Sequence, residues 1–242
     1  MLLRMLKEAF SGQRSRRAAG GPDENPLVKW CGAHTGRRVH KFYGYLEVYH
    51  RHFARFRGGS PVVLEIGVSF GGSLEMWRDY FGSGCRLYGV DIDPRCKAFE
   101  DETTTILIGD QADRNFLARL RAELPRVDIL IDDGGHTMEQ QIATFEELYP
   151  HVADEGVYLC EDLHTSYWER FGGGYRKDGT FVEFSKHLID RLNGWHWTNG
   201  QESAVNDFTR SAHGMHYYDS VLVIEKRRMQ PPEQIKVGEL SF

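Results

Sequence analysis

A chain of 242 residues is long enough for one large α/β domain with additions, or at most two small domains. Its apolar and charged fractions are ordinary for a globular protein, and a net charge of −5 gives no reason to expect a nucleic-acid partner. No apolar run is long enough to span a bilayer, so no membrane partner is expected. Cys31, Cys85, Cys96 and Cys160 show no C-x-x-C spacing; they argue neither for a zinc site nor for a disulfide framework, and they fit reduced thiols in a cytoplasm.

Met1 to Phe10 is apolar with basic residues interspersed. It lacks a separate apolar core and a cleavage site, so an amphipathic docking helix is predicted rather than a signal peptide. A Gly/Arg/Ser-rich linker with Arg14, Arg16 and Arg17 follows, read as a solvated, flexible segment. Residues 1–58 are expected to form a helical extension, 59–228 the main domain and 229–242 a tail. Within Lys41–Phe56, Tyr45, Tyr49, Phe53 and Phe56 are spaced by four, four and three, which is one face of a helix. That helix is expected to pack on the main domain, and Gly58-Gly-Ser-Pro61 ends it.

Pro61–Gly67 reads as a buried strand that enters the turn Gly67-Val-Ser-Phe-Gly-Gly72, and Ser73–Phe81 continues as a helix. Arg86–Asp91 and Thr103–Ile108 are the second and third strands, and Asn115–Leu124 is an amphipathic helix. Val127–Asp132 is a continuous apolar strand, which suits the middle of a parallel sheet. Met138–Tyr149 is a helix and Gly156–Cys160 the fifth strand. A polar, aromatic loop over 163–180, with Tyr167, Trp168, Phe171 and three glycines, precedes a helix over Thr180–Leu192. Gly214–Tyr218 and Ser220–Glu225 have almost nothing between them, so they form an antiparallel hairpin. The alternation predicts a doubly wound, Rossmann-like α/β fold: a seven-stranded sheet, mostly parallel, closed by a C-terminal antiparallel hairpin.

A dinucleotide site wants G-x-G-x-x-G after the first strand, but Ser69 stands where the second glycine belongs. Glu65 inside the strand end would repel a pyrophosphate. A cationic amino-acid ligand without phosphates suits it, and Asp91 suits a ribose diol. S-adenosylmethionine is such a ligand. At the ends of strands four and five stand Asp132, Asp133, Glu161 and Asp162. If those strands are neighbours, their ends lie about 5 Å apart. Carboxylates so close repel unless a proton or cation intervenes. Oxygen donors without cysteine suit Mg²⁺, with Mn²⁺ the second choice. The competing reading is that some of these groups cap helices or pair with Arg and Lys.

Leu64-Glu-Ile-Gly67, Ser73-Leu-Glu-Met-Trp77, Tyr88-Gly-Val-Asp91, Gly109-Asp-Gln111, Ile131-Asp-Asp-Gly-Gly-His136, Glu161-Asp-Leu-His-Thr-Ser-Tyr-Trp168 and Tyr218–Lys226 carry a resemblance. The chain resembles the class I S-adenosylmethionine-dependent methyltransferases, and within them the metal-dependent sugar O-methyltransferases of macrolide and rhamnosyl natural products. The resemblance spans roughly Tyr43 to Arg227. It implies a cofactor site at Glu65, Gly67, Ser69, Gly71, Asp91, Asp110, Gln111 and Asp132, with Tyr49 closing over the cofactor. It implies Asp133, Glu161 and Asp162 as metal ligands, and His136 or a carboxylate, Asp133, as the base. The loop 163–180 would be part of an acceptor pocket. The implied enzyme moves a methyl group to a hydroxyl of a small-molecule glycoside and works as a homo-oligomer. A polysaccharide or other diol acceptor, or a non-catalytic module keeping only the adenosyl site, are the alternatives. Ser69 and Glu65 disfavour a nicotinamide oxidoreductase. His34-Thr-Gly-Arg-Arg38 fits the family's short charged motif only loosely.

Overall fold

The computed structural model describes residues 25–197 and 205–239. The expected docking helix over Met1–Phe10 and the basic linker lie outside the described residues. Seven strands form one sheet: β1 (Val62–Ile66), β2 (Arg86–Asp91), β3 (Thr104–Ile108), β4 (Val127–Asp132), β5 (Val152–Cys160), β6 (Ala212–Tyr218) and β7 (Val221–Lys226). Their order is β3-β2-β1-β4-β5-β7-β6. The first five are parallel, and β7 runs antiparallel to both β5 and β6. The strand order reverses between β1 and β4, where a crevice opens at the carboxyl ends.

The helices are α1 (Pro26–Ala33), α2 (Tyr45–Phe53), α3 (Gly72–Phe81), α4 (Arg114–Glu123), α5 (Met138–Leu148), α6 (Phe181–Leu192) and α7 (Asp207–Ser211). Successive strand residues point to opposite faces, so one strand feeds two cores. Val63, Ile129, Ile131 and Leu159 pack on the face that carries α2 and α3, with Tyr49, Phe53, Trp77 and Phe81. Leu64, Ile66, Leu130 and Tyr158 pack on the other, with Leu117, Phe145 and Leu188. Tyr45, Tyr49 and Phe53 are buried as the four-residue spacing predicts. The described part of the N-terminal extension therefore shares its core with the main domain.

The fifth strand starts four residues earlier than the apolar run suggests. Its pairing with β4 shifts register between Val127 and Ile129, and Glu155 takes a positive φ of 64°. Asp154 and Glu155 are exposed at this irregularity, which hides the strand's start from a reading by hydrophobicity. Helices α1 and α7 were not predicted. The loop after β5 holds two 3₁₀ turns, Leu163–Tyr167 and Glu169–Phe171. Among the described residues no helix is long and apolar enough to cross a membrane, and the four cysteines are free thiols.

Candidate active site

The crevice between β1 and β4 is built from backbone first. The Gly67 amide donates to Val90 O (2.8 Å) and the Asp133 amide to Ile66 O (2.9 Å), so the two turns lie against each other. Gly67 has φ 96°, and a Cβ there would collide with the Asp133 carbonyl. Gly67→Ala is therefore expected to cost at least about 2 kcal/mol, since both backbone strain and overlap oppose it; thermal denaturation measures this. Ser69, where a second glycine was sought, adopts φ 51°. Its amide and that of Val68 donate to Asp91 Oδ2 at 2.8 and 3.0 Å. Asp91 Oδ1 accepts from the Asp93 amide at 2.9 Å. Asp91 thus orders the glycine turn, and a ribose diol would have to share its oxygens. Gly71 is the N-cap of α3 at φ 73°.

Gly67, Ser69, Asp133, His136 and Asp162 line one pocket, together with Arg38–Lys41 and Ser73. A smaller pocket adjoins it, lined by Lys41, Phe42, Tyr45, Asp133, Glu161 and Asp162. Other expected cofactor residues lie beneath or beside these surfaces. Glu65 is buried and accepts from Ser73 Oγ (2.8 Å) and Trp77 Nε1 (3.2 Å); burial pushes its carboxyl up to about 7. Asp132 is fully buried and accepts from Gln111 Nε2 (2.6 Å); burial pushes it up to about 8. Gln111 also donates to Thr144 Oγ1 (2.9 Å) and accepts from the Gly135 amide (3.0 Å), so it braces the turn after β4. Asp110 is exposed and caps its own turn through Ala112 N (2.8 Å).

At the mouth, His136 Nε2 lies 3.3 Å from Asp162 Oδ2 and 3.9 Å from Asp133 Oδ1. Asp133, His136 and Asp162 can each present one donor atom, all within 4.8 Å of one another. His136 has φ 57°, and Asp162 has φ 55°. Both sit in left-handed conformations that aim their side chains inward from the strand ends. The His136 carbonyl accepts from Thr165 Oγ1 at 3.0 Å, while its Nδ1 is buried with no partner among the described residues.

Lys41, which sequence reasoning missed, enters this cluster. Its ammonium bonds Asp133 Oδ2 and both oxygens of Glu161 (2.9 and 3.0 Å). Burial alone would favour loss of its proton, but Asp133, Glu161 and Glu65 outweigh that and hold its pKa above the usual lysine value. Burial and Asp133 push the Glu161 carboxyl up, against Lys41 and Tyr49. Tyr49, expected over the cofactor, is instead buried behind Glu161 and donates to its Oε1 (2.6 Å). Tyr45 donates to Asp162 Oδ1 (2.7 Å). One lysine faces Asp133, Glu161 and Glu65, with Asp162 beside them, so the cluster remains short of positive charge. That surplus of carboxylate oxygen fits a hard divalent cation. His151 is remote and structural, bonded to Pro125 O (2.8 Å). His164 bonds Ser220 Oγ (2.6 Å) beside Asp162.

A seven-stranded sheet in this order, parallel except for β7, with a glycine turn and an acidic mouth at its switch point, is the architecture of the class I methyltransferases. A protein-family profile described as a methyltransferase domain matches residues 64–163. The chain is 36% identical over 212 residues to the 8-demethyl-8-(2-methoxy-alpha-L-rhamnosyl)-tetracenomycin-C 3'-O-methyltransferase of Streptomyces olivaceus, covering 84% of this chain and 54% of the relative. It is 37% identical over 188 residues to the demethylmacrocin O-methyltransferase of Streptomyces fradiae, covering 74% and 47%. The MycE methyltransferase of mycinamycin biosynthesis, solved with Mg, SAH and mycinamycin VI, superimposes with a TM-score of 0.73 at 32% identity, over 86% of this chain and 54% of that one. The chain spans about half the length of the curated relatives it matches. The chain carries a methyltransferase domain with the class I fold, and over most of its length it is similar to sugar O-methyltransferases.

Proposed function

We propose that the chain transfers a methyl group from S-adenosylmethionine to a hydroxyl of a sugar carried by a glycosylated natural product, with Mg²⁺ as its metal. The observation that carries this reading is the cluster of Asp133, His136 and Asp162 at the edge of the glycine-turn pocket. The relative solved with Mg, SAH and mycinamycin VI supports it.

S-adenosylmethionine supplies the methyl group and a sulfonium that leaves as a neutral thioether. Asp133, Glu161 and Asp162 would hold Mg²⁺, which would supply Lewis-acid polarisation of the acceptor hydroxyl. The protein's own groups do the rest. The turn from Gly67 to Gly72 offers backbone rather than side chain to the adenosyl group. His136 takes the hydroxyl proton as oxygen bonds the methyl carbon and the carbon–sulfur bond breaks. Among the candidate bases His136 is favoured, because Asp133 and Asp162 would be taken up by the metal, whereas the His136 imidazole stands at the mouth beside both, Nε2 foremost. Holding oxygen, carbon and sulfur in line supplies much of the rate. The exposed rings of Phe42, Tyr167 and Trp168 lie on segments flanking Asp162, with His164 packed against Phe42 and Trp168. They suit a glycoside with an apolar body better than a polysaccharide. The free thiols suit a reducing, cytoplasmic setting.

The test is incubation with S-adenosylmethionine and a panel of macrolide and rhamnosyl glycosides, with methylated product followed by mass spectrometry. EDTA is expected to lower the rate about 100-fold or more, with recovery on adding Mg²⁺. Methylation undiminished in EDTA would remove the metal from the reading. Binding of NADH but not of S-adenosylmethionine would remove the methyl donor.

A further inference from the structure

The acidic mouth already contains a cation that belongs to the chain. Lys41 sits at the end of a segment, 34–42, that crosses the glycine turn. The Arg37 amide donates to Glu75 Oε2 (3.1 Å), and the Arg37 guanidinium lies 4.6 Å from the centre of the Phe99 ring. A Cβ on Gly72 would strike the Arg38 carbonyl, so the segment rests directly on the first turn of α3. Arg38, Val39, His40 and Lys41 form one wall of the pocket. At its far end the Lys41 side chain is 5% exposed and bonds both Asp133 and Glu161.

We propose that Lys41 is a latch: its ammonium fastens the segment 34–42 over the methyl-donor pocket by occupying Asp133 and Glu161, and Mg²⁺ binds by displacing it. The inference rests on the metal reading above and adds what that reading lacks, a competitor for the same oxygens. Mg²⁺ needs oxygen ligands at about 2.0–2.1 Å. An ion that close to Asp133 Oδ2 and Glu161 stands where the ammonium now stands, and the two cations repel. Tyr49 on Glu161 and Tyr45 on Asp162 belong to α2 rather than to the segment, so both carboxylates keep a donor when Lys41 leaves. The apparent affinity for Mg²⁺ is then the intrinsic affinity multiplied by the fraction of molecules in which Lys41 is released. Binding the metal and loosening the wall of the cofactor pocket become one equilibrium.

The experiment is calorimetric titration of Mg²⁺ into the full chain, as wild type, Lys41→Met and Lys41→Arg. Met keeps the length of the side chain without its charge, and Arg keeps a charge. The Met variant is expected to bind Mg²⁺ about 10-fold more tightly, while the Arg variant stays near wild type. In parallel, hydrogen exchange at residues 36–42 is expected to rise when Mg²⁺ is added to wild type, and to be already raised in the Met variant without metal. Equal or weaker Mg²⁺ binding by the Met variant, or slower exchange in wild type on adding Mg²⁺, would overturn the latch and leave the metal reading standing. Failure of all three proteins to bind Mg²⁺ would overturn the metal reading and the latch with it.

Discussion

Replacing His136 with alanine is expected to lower turnover by about 10²–10⁴-fold while S-adenosylmethionine still binds. The imidazole Nε2 stands at the mouth, 3.3 Å from Asp162 Oδ2. It stands on the same pocket edge as Gly67 and Ser69. Its removal takes away a proton acceptor without touching the glycine turn, so the loss falls on turnover rather than on cofactor affinity. The backbone needs a control, because φ at His136 is 57° and alanine resists that conformation. His136→Asn tolerates the left-handed region and still lacks a basic nitrogen, so it should lose activity to the same degree. Steady-state kinetics with calorimetry of cofactor binding separates the two effects. Full activity in both variants would transfer the proton to Asp133.

Trp77→Ala is expected to destabilise the fold by about 3–5 kcal/mol, lowering Tm on the order of 10 °C. Trp77 is fully buried among Tyr49, Phe53 and Phe81, with ring centroids at 5.1, 5.8 and 5.9 Å. It joins α3 to α2, which no strand pairing does. Its indole N–H also donates to Glu65, so the alanine variant leaves that buried carboxyl with Ser73 as its remaining side-chain donor. Helix α2 carries Tyr45 and Tyr49, whose hydroxyls hold Asp162 and Glu161. A lower Mg²⁺ affinity at temperatures where the variant is still folded should therefore accompany the stability loss. Thermal denaturation followed by near-ultraviolet circular dichroism measures the first effect and calorimetry the second. A Tm within a few degrees of wild type would show that α2 is held to α3 without this ring.

The strands were legible where apolar runs were unbroken: β1, β2 and β4 match their predicted spans closely, as does the terminal hairpin. Where charge interrupts burial, legibility failed. Asp154 and Glu155 hide the start of β5, because its irregularity turns them out to solvent. At the site, the types of residue were readable but their duties were not. Glu65, Asp91, Asp132 and Gln111 all stand near the expected cofactor turn. Yet Asp91 spends its oxygens on backbone amides, and Gln111 braces Asp132.

The sequence by itself determined the order of strand, turn and helix, the glycine positions and the presence of acids at the ends of β4 and β5. These follow from local periodicity and from what each residue can do with its own backbone. Only the tertiary structure decided which charge meets which. Lys41 is 92 residues from Asp133 and 120 from Glu161, and no spacing rule connects them. They meet because the aromatic face of α2 packs on α3, which brings the segment before it across the crevice. Electrostatic partners are chosen by distance in space and by exclusion of water, and neither is written in the neighbourhood of a single residue.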